Sequence, residues 1–180
     1  PIVINQITGA NAVNTITIKP ASGATPTISG TVAGSSTGAI LKFNGADYIT
    51  LDGSNNNTDS RNLTIQNSGT GASVVVWLSS GSGVSSINNT IKNCKINGSG
   101  LAGIYSSGAS ITASLGNAIG NNNNSYLNNE FLGTPFYALT TQGSSGNMNT
   151  GTNISNNVIG SGVKRGGILA GYESNITVNA

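Results

Sequence analysis

The chain has 180 residues, enough for one domain, and a formal charge of +2 with only 7% of its residues charged, against about 25% in an average soluble domain. So weak a charge, with its seven cations scattered in ones and twos, excludes a basic nucleic-acid surface, and no apolar run approaches the ~18–20 residues of a membrane span. The absence of histidine removes the commonest general base and metal ligand, and the single cysteine, Cys94, rules out an internal disulfide and reads as a small buried residue.

Asparagine (27 residues) and glycine (26 residues) dominate, while Ile, Val and Thr recur throughout. Disordered chains lack such β-branched content, so this chain can bury a core, built from small units. In chain order, strands are expected at Pro1-Ile-Val-Ile4, Thr15-Ile-Thr-Ile18, Tyr48-Ile-Thr-Leu51, Leu63-Thr-Ile65, Val74-Val-Val76 and Ile176-Thr-Val178. Each is short, alternating or β-branched, and bounded by Gly, Asn or Ser. Helical periodicity is absent. Residues 54–60, 108–124 and 144–152 read as solvent loops.

An internal repeat organises these strands. Asn89-Thr-Ile-Lys-Asn-Cys-Lys-Ile-Asn-Gly98 matches Asn124-Ser-Tyr-Leu-Asn-Asn-Glu-Phe-Leu-Gly133 without a gap; Asn153-Ile-Ser-Asn-Asn-Val-Ile-Gly160 and Arg61-Asn-Leu-Thr-Ile-Gln-Asn67 read as further copies. A second motif lies between them: Trp77-Leu-Ser-Ser-Gly81, Ile104-Tyr-Ser-Ser-Gly108 and Leu139-Thr-Thr-Gln-Gly143, with Ala39–Gly45 and Gly167–Gly171 as its first and last occurrences. In this alignment Asn67, Asn93, Asn128 and Asn156 correspond, at spacings of 26, 35 and 28 residues. Repeats of this length made of short strands imply a solenoid in which one unit is one coil.

The expected fold is therefore all-β, a right-handed parallel β-helix of about five to seven coils forming one segment over residues 1–180. Coils stacked at ~4.8 Å place like residues over one another. The four aligned asparagines then form a hydrogen-bonded ladder, because an amide both donates and accepts. Ile65, Ile91, Tyr126 and Ile154 should point inward beside them, and Ile96, Phe131 and Ile159 should fill the next column. The competing fold is an antiparallel sandwich with hairpins at Asn44-Gly45, Asp52-Gly53 and Asn97-Gly98. It does not require a returning ten-residue pattern.

Val13–Gly23, Pro26-Thr-Ile-Ser-Gly30, Leu41–Gly53 and Arg61–Asn67 resemble the opening of β-helix regions in large secreted proteins of the Bacteroidota, and the Asn-Asn-Thr-Ile-Lys-Asn-Cys copies resemble the stacked coils of those regions. The resemblance implies a segment of a long multidomain protein exported by the type IX secretion system to the cell surface. More distantly the chain resembles the pectate-lyase-like superfamily, which contains enzymes.

No catalytic constellation is legible. The chain owns five acids, Asp47, Asp52, Asp59, Glu130 and Glu173, and a glycosidase needs two facing carboxyls. Asp52 reads as a turn residue before Gly53, Glu130 as an outward residue in the place of Lys95, and Glu173 as a surface partner of Lys164 or Arg165. Nothing specifies calcium, and no cofactor or metal is expected. Tyr105, Tyr137 and Tyr172, with Trp77, are candidates for surface contact, since such rings stack on sugars or fill protein interfaces. Thr15/Thr17 and Thr25/Thr27 do not continue as the paired files an ice-binding face requires. Because the chain opens and closes on strand sequence, both ends are expected to be continued by adjoining protein of the same chain or by neighbouring subunits. The expected function is a non-catalytic structural or adhesive module of an extracellular rod or fibre. Its alternative is a module that binds or degrades carbohydrate through catalytic residues outside this segment, with surface glycans as partners.

Overall fold

The computed structural model describes residues 1–34, 38–80, 83–112 and 119–179. Gly81 of the second motif and residues 113–118 of one predicted loop lie outside them. Among the described residues none is helical. The strands form three long sheets in which every neighbouring pair is parallel.

The first sheet stacks Ile2–Asn5, Gly38–Asn44, Ser73–Ser79, Ala102–Ser107, Tyr137–Gln142 and Gly166–Gly171. The second stacks Ile16–Ile18, Ile49–Asp52, Thr90–Lys92, Ser125–Leu127, Asn153–Ser155 and Thr177–Asn179. The third stacks Thr27–Gly30, Leu63–Asn67, Cys94–Gly98, Glu130–Gly133 and Val158–Ile159. The chain visits the sheets in rotation, one strand of each per coil, which makes a parallel β-helix of five complete coils and part of a sixth. The dipeptides that could have made hairpins sit at corners or strand ends instead. The antiparallel contact seen among the described residues is a single bridge, Ser144 to Asn147.

Alternation along each strand sends one set of side chains inward. Leu41, Val76, Ile104, Leu139 and Ile168 form one inward column. Leu51, Ile91, Tyr126, Ile154 and Val178 form the second. Ile28, Ile65, Ile96, Phe131 and Ile159 form the third. In the middle coils these side chains are fully buried, each worth about 1.5–3 kcal/mol of transfer free energy. Ile65 thus belongs with Ile96 and Phe131, not with Ile91. The sequence frame slips there by one sheet, because second- and third-sheet strands share the same alternation and an Asn after it. The second motif slips by one residue at its Trp77 copy: Ile104 and Leu139 stack on Val76, while Trp77 stacks under Tyr105 and Thr140.

The corners explain the asparagines. Entering the second sheet, Tyr48, Asn88, Asn123, Gly151 and Asn175 all take positive φ, between 51° and 70° with the others of their kind; leaving it, Asn93, Asn128 and Asn156 do the same. Asparagine tolerates this left-handed conformation better than most residues. The bend leaves backbone groups that the neighbouring coil's backbone does not bond, and buried groups of that kind must find partners. A second asparagine supplies them. Asn89 accepts from the Ile49 N–H at 3.0 Å and donates to the Ala46 carbonyl at 2.8 Å. Asn124 does the same for Asn89 N–H (2.9 Å) and Ser86 carbonyl (2.8 Å). At the next corner Asn129 binds Cys94 N–H (3.0 Å) and Ile91 carbonyl (2.9 Å), and Asn157 binds Asn129 N–H (2.9 Å) and Tyr126 carbonyl (2.8 Å). In every case the amide of one coil clamps the N–H just after, and the carbonyl two before, the left-handed residue of the coil below. The tandem pairs Asn88-Asn89, Asn123-Asn124, Asn128-Asn129 and Asn156-Asn157 divide the work: the first turns the chain, the second clamps it.

This corrects the expected ladder. Asn93, Asn128 and Asn156 do share a corner, and the Asn128 amide donates to Asn93 Oδ1 at 2.8 Å. Asn156, however, is exposed. Asn67 lies at the far end of the third sheet, in register with Gly98, where it binds Val32 N–H at 2.9 Å and Val74 carbonyl at 3.0 Å. Replacing Asn129 with Leu should strand the Cys94 N–H and the Ile91 carbonyl and cost about 1–3 kcal/mol for each group left unpaired. A urea midpoint unchanged by Asn129→Leu would contradict the clamp.

Candidate functional site

The outer face of the first sheet carries three aromatic residues, Trp77, Tyr105 and Tyr137. Its outward columns run Val3, Lys42, Trp77, Tyr105, Thr140, Leu169 and Ala39, Val74, Ala102, Tyr137, Gly166. Trp77 and Tyr105, expected as contact residues, are both 0% exposed. They form a second apolar cluster with Ala39, Val74, Leu101, Ala102 and Ile111, outside the sheet rather than inside the coil. Ile111 comes from the insertion that follows the fourth coil's first strand. The Tyr105 hydroxyl donates to the Thr112 carbonyl at 3.0 Å and accepts from the Thr112 N–H at 3.1 Å. Tyr105 is therefore an anchor for the insertion, not a contact for a partner. Lys42 stands 4.1 Å from the centre of the Trp77 ring, and burial lowers its pKa. Tyr137 is half-buried, and Tyr172, 40% exposed, sits at a left-handed corner. The three tyrosines do not share one surface. Next to Tyr137, Phe136 is flanked by the exposed side chains of Arg165, at 4.6 Å, and Lys164, at 5.8 Å.

The five acids are dispersed and, where bonded, bonded structurally. Glu130 stacks on Lys95. Asp47 accepts the Ile87 N–H at 2.8 Å; burial raises its pKa against that bond and one from Gln6. Glu173 does not pair with Lys164 or Arg165. It accepts from Thr141 (2.7 Å), Asn149 (2.7 Å) and Thr152 (2.8 Å). Its place in the stack is directly over Asn149, which in turn accepts from Asn121 N–H. A carboxylate thus tops a column of clamping amides. No group of three or more acidic, Cys or His side chains that could hold a metal occurs among the described residues.

Asp52 is more than a turn residue. It is buried, and its carboxylate accepts from Asn93 Nδ2 at 2.7 Å and Ser54 N–H at 3.0 Å and pairs with Lys92 at 3.2 Å. Burial alone would raise its pKa; the hydrogen bonds from Asn93 and Ser54 and the Lys92 ammonium outweigh burial and leave it lowered. From Asp52 the loop 53–62 climbs over the two coils above. Gly53 opens it because the Asn93 carbonyl lies 2.0 Å from where a Cβ would be. Asn128 Nδ2 donates to the Asp59 carbonyl at 2.9 Å, and Arg61 donates to the Asn128 carbonyl at 2.7 Å and to its Oδ1. Predicted as a solvent loop, this segment is a strap fastened to a coil two levels up. Its signal in the sequence was Arg61, the one cation beside the longest polar insertion of the first half.

The outward file of the second sheet reads Thr17, Thr50, Thr90, Ser125, Asn153, Thr177. Hydroxyls recur up this file, interrupted at Asn153, but the file is not one of the paired threonine files that an ice-binding face requires. It is single, since the adjacent outward column holds Asp52, Lys92, Leu127, Ser155 and Asn179.

No family model, curated protein or solved structure matches the chain.

Two outcomes follow. Because the Asp52 pKa is lowered on folding, its bonds stabilise the protein above the ordinary aspartate range, and that contribution is lost as pH falls below about 4. Asp52→Asn should cost about 1–3 kcal/mol at pH 7 and flatten the acid limb of a stability–pH profile; Asp47, raised by burial, contributes with the opposite sign and is unchanged in that comparison. Cys94 is 0% exposed, and burial, reinforced by Asp52, pushes its thiol up to about 12. It should resist alkylation at pH 8 in the native protein and react fully in denaturant; equal rates in both would show an open corner.

Proposed function

We propose that this chain is a non-catalytic structural module, a stiff stretch of an extracellular rod, fibre or adhesin at the cell surface. The observation that carries the reading is the use of its polar side chains. The buried asparagines clamp coil to coil, and the carboxylates of Asp47, Asp52 and Glu173 are engaged in bonds of the same kind. A catalytic carboxylate must be free to reach substrate, and these three are not. Stacking of hydrogen-bonded coils supplies stiffness along the axis.

The outermost coils are the natural contact surfaces. Ile2, Val3 and Ile18 at one end, and Val158, Ile159 and Val178 at the other, are exposed. A cleft of about 220 Å³ lined by Ile2, Ile28, Val32 and Ile40 opens beside the first coil. Unpaired strand edges flanked by apolar side chains recruit further strands, so these faces are where a partner strand would add. The alternative, a glycan-binding module, draws on the corner where Lys164, Arg165 and Phe136 meet Tyr137.

The native material should be an elongated particle in small-angle scattering, and the 180-residue chain should turn over no polysaccharide in a panel assayed with and without calcium. A compact globular monomer with both end coils covered, or turnover that disappears on Asp47→Asn, would overturn the structural reading. Retention on a glycan column that is lost on Arg165→Ala would favour the alternative.

A further inference from the structure

The strap has a property that its role as a fastener does not use. Its alternate residues Ser54, Asn56, Thr58, Ser60 and Asn62 bring five side-chain oxygens together. Asn56 Oδ1 lies 2.9 Å from Ser54 Oγ, 2.7 Å from Thr58 Oγ1 and 2.8 Å from Ser60 Oγ; Ser60 Oγ lies 3.1 Å from Ser54 Oγ and 2.6 Å from Asn62 Oδ1. Five close oxygen–oxygen contacts result, and the group owns only three hydroxyl protons, since an amide oxygen carries none. Two contacts therefore set lone pair against lone pair, which is repulsive unless positive charge lies among them. Backbone N–H groups supply part of it: Thr58 N–H reaches Ser54 Oγ at 3.1 Å and Asn56 Oδ1 at 3.3 Å, and Ser60 N–H reaches Thr58 Oγ1 at 3.2 Å. These contacts are long, and they orient the side chains as Asx and Ser/Thr turns do.

We propose that the strap is a cation site, in which the oxygens of Ser54, Asn56, Thr58, Ser60 and Asn62 hold a calcium ion. Calcium takes oxygen ligands, neutral ones included, at 2.3–2.6 Å. Two oxygens about 2.4 Å from a common ion and some 75° apart, as seen from it, lie about 2.9 Å from each other. The triangle formed by Ser54, Asn56 and Ser60, with edges of 2.9, 2.8 and 3.1 Å, matches one face of such a shell. Magnesium holds its own waters at a shorter distance and fits a preformed protein cage less well. The charges around the strap are mixed. Asp52 accepts the Ser54 N–H and Asp59 lies within the strap, while Lys19 donates to Asn57, Lys92 pairs with Asp52 and Arg61 grips Asn128. With neutral ligands and balanced surroundings the affinity belongs in the range of about 0.1–1 mM found for extracellular calcium modules. Fastened at Asn93 and Asn128, the occupied strap would tie three coils together.

The test is calcium titration by calorimetry and thermal melting of the chelator-treated chain and two variants. Asn56 is exposed, so neither Asn56→Ala nor Asn56→Asp endangers the core. Saturable calcium binding with a rise in Tm is expected in the wild type. It should be lost in Asn56→Ala, tightened at least ten-fold in Asn56→Asp, and not reproduced by magnesium or sodium. If the Asn56 amide instead presents its NH₂ to the hydroxyls, the proton shortage disappears; Asn56→Asp would then lower Tm with calcium present or absent. That result, or no saturable binding to the wild type at 10-fold above the expected range, overturns the site.

Discussion

Every parallel β-helix must turn its backbone sharply at each corner without leaving peptide groups unpaired inside. Here the left-handed residue makes the turn, and an asparagine amide from the coil above serves the groups that the turn strands. The amide replaces a peptide unit: its carbonyl accepts where a backbone carbonyl would, and its NH₂ donates where a backbone N–H would. Each buried polar group left unserved would cost about 1–3 kcal/mol, and the corners recur in every coil. That constraint accounts for the composition. Asparagine is abundant because a corner can use it twice, once for conformation and once for its amide, as the tandem pairs do. Charge is scarce because an ionised side chain in these places needs several hydrogen bonds or a counter-charge: Glu173 is held by Thr141, Asn149 and Thr152, and Asp52 by Asn93, Ser54 and the partly exposed Lys92.

The same constraint shapes the core. Columns of Ile, Leu and Val from three sheets fill the interior of the middle coils, and Tyr126 and Phe131 take adjacent coil-four positions where neighbouring columns hold small residues. Gly103 is one of these: a Cβ there would meet Phe131 at 2.8 Å and Ile96 at 3.1 Å. Toward the sixth coil the interior becomes polar. Ser106 and Thr141 replace Leu78 in its column, and Thr141, Asn149, Thr152 and Glu173 bond together. The Tyr126 hydroxyl lies inside this region, fully buried, and burial drives its pKa upward.

The fold was legible because its signals are local and repeated: short β-branched strands, glycine and asparagine between them, and a ten-residue pattern that returned without a gap. Coil number and the stacking of Ile96, Phe131 and Ile159 followed. The frame was lost where local patterns coincide. Leu63–Asn67 alternates like a second-sheet strand, and only the ten-residue insertion before it, invisible as a place in space, moves it to the third sheet. Reading the Asn-Asn pairs as units would have separated the turning residue from the clamping one. Two of the candidate contact residues were misread for a different reason. Tyr105 and Trp77 do point outward, as alternation requires, but an insertion folds back over them, and nothing in the strand itself encodes that cover. Glu173 and Asp52 were likewise assigned by neighbours in sequence, whereas the side chains that hold them lie 21–41 residues away, in other coils.

Function in such a stack has to be sought in what the coils do not consume. The inward columns hold the core, the corner amides hold the coils, and both are occupied. What remains are the outward columns and the insertions at corners. Of the insertions, 53–62 reaches across two coils and is held by Arg61 and Asn128. The one after the fourth coil's first strand lays Ile111 over Trp77 and Tyr105. An insertion can vary in length without disturbing the register beneath it, since the strands on either side remain in their columns. A binding surface built from insertions therefore evolves independently of the rod that carries it, and the rod in turn fixes the spacing between successive insertions in steps of one coil, ~4.8 Å.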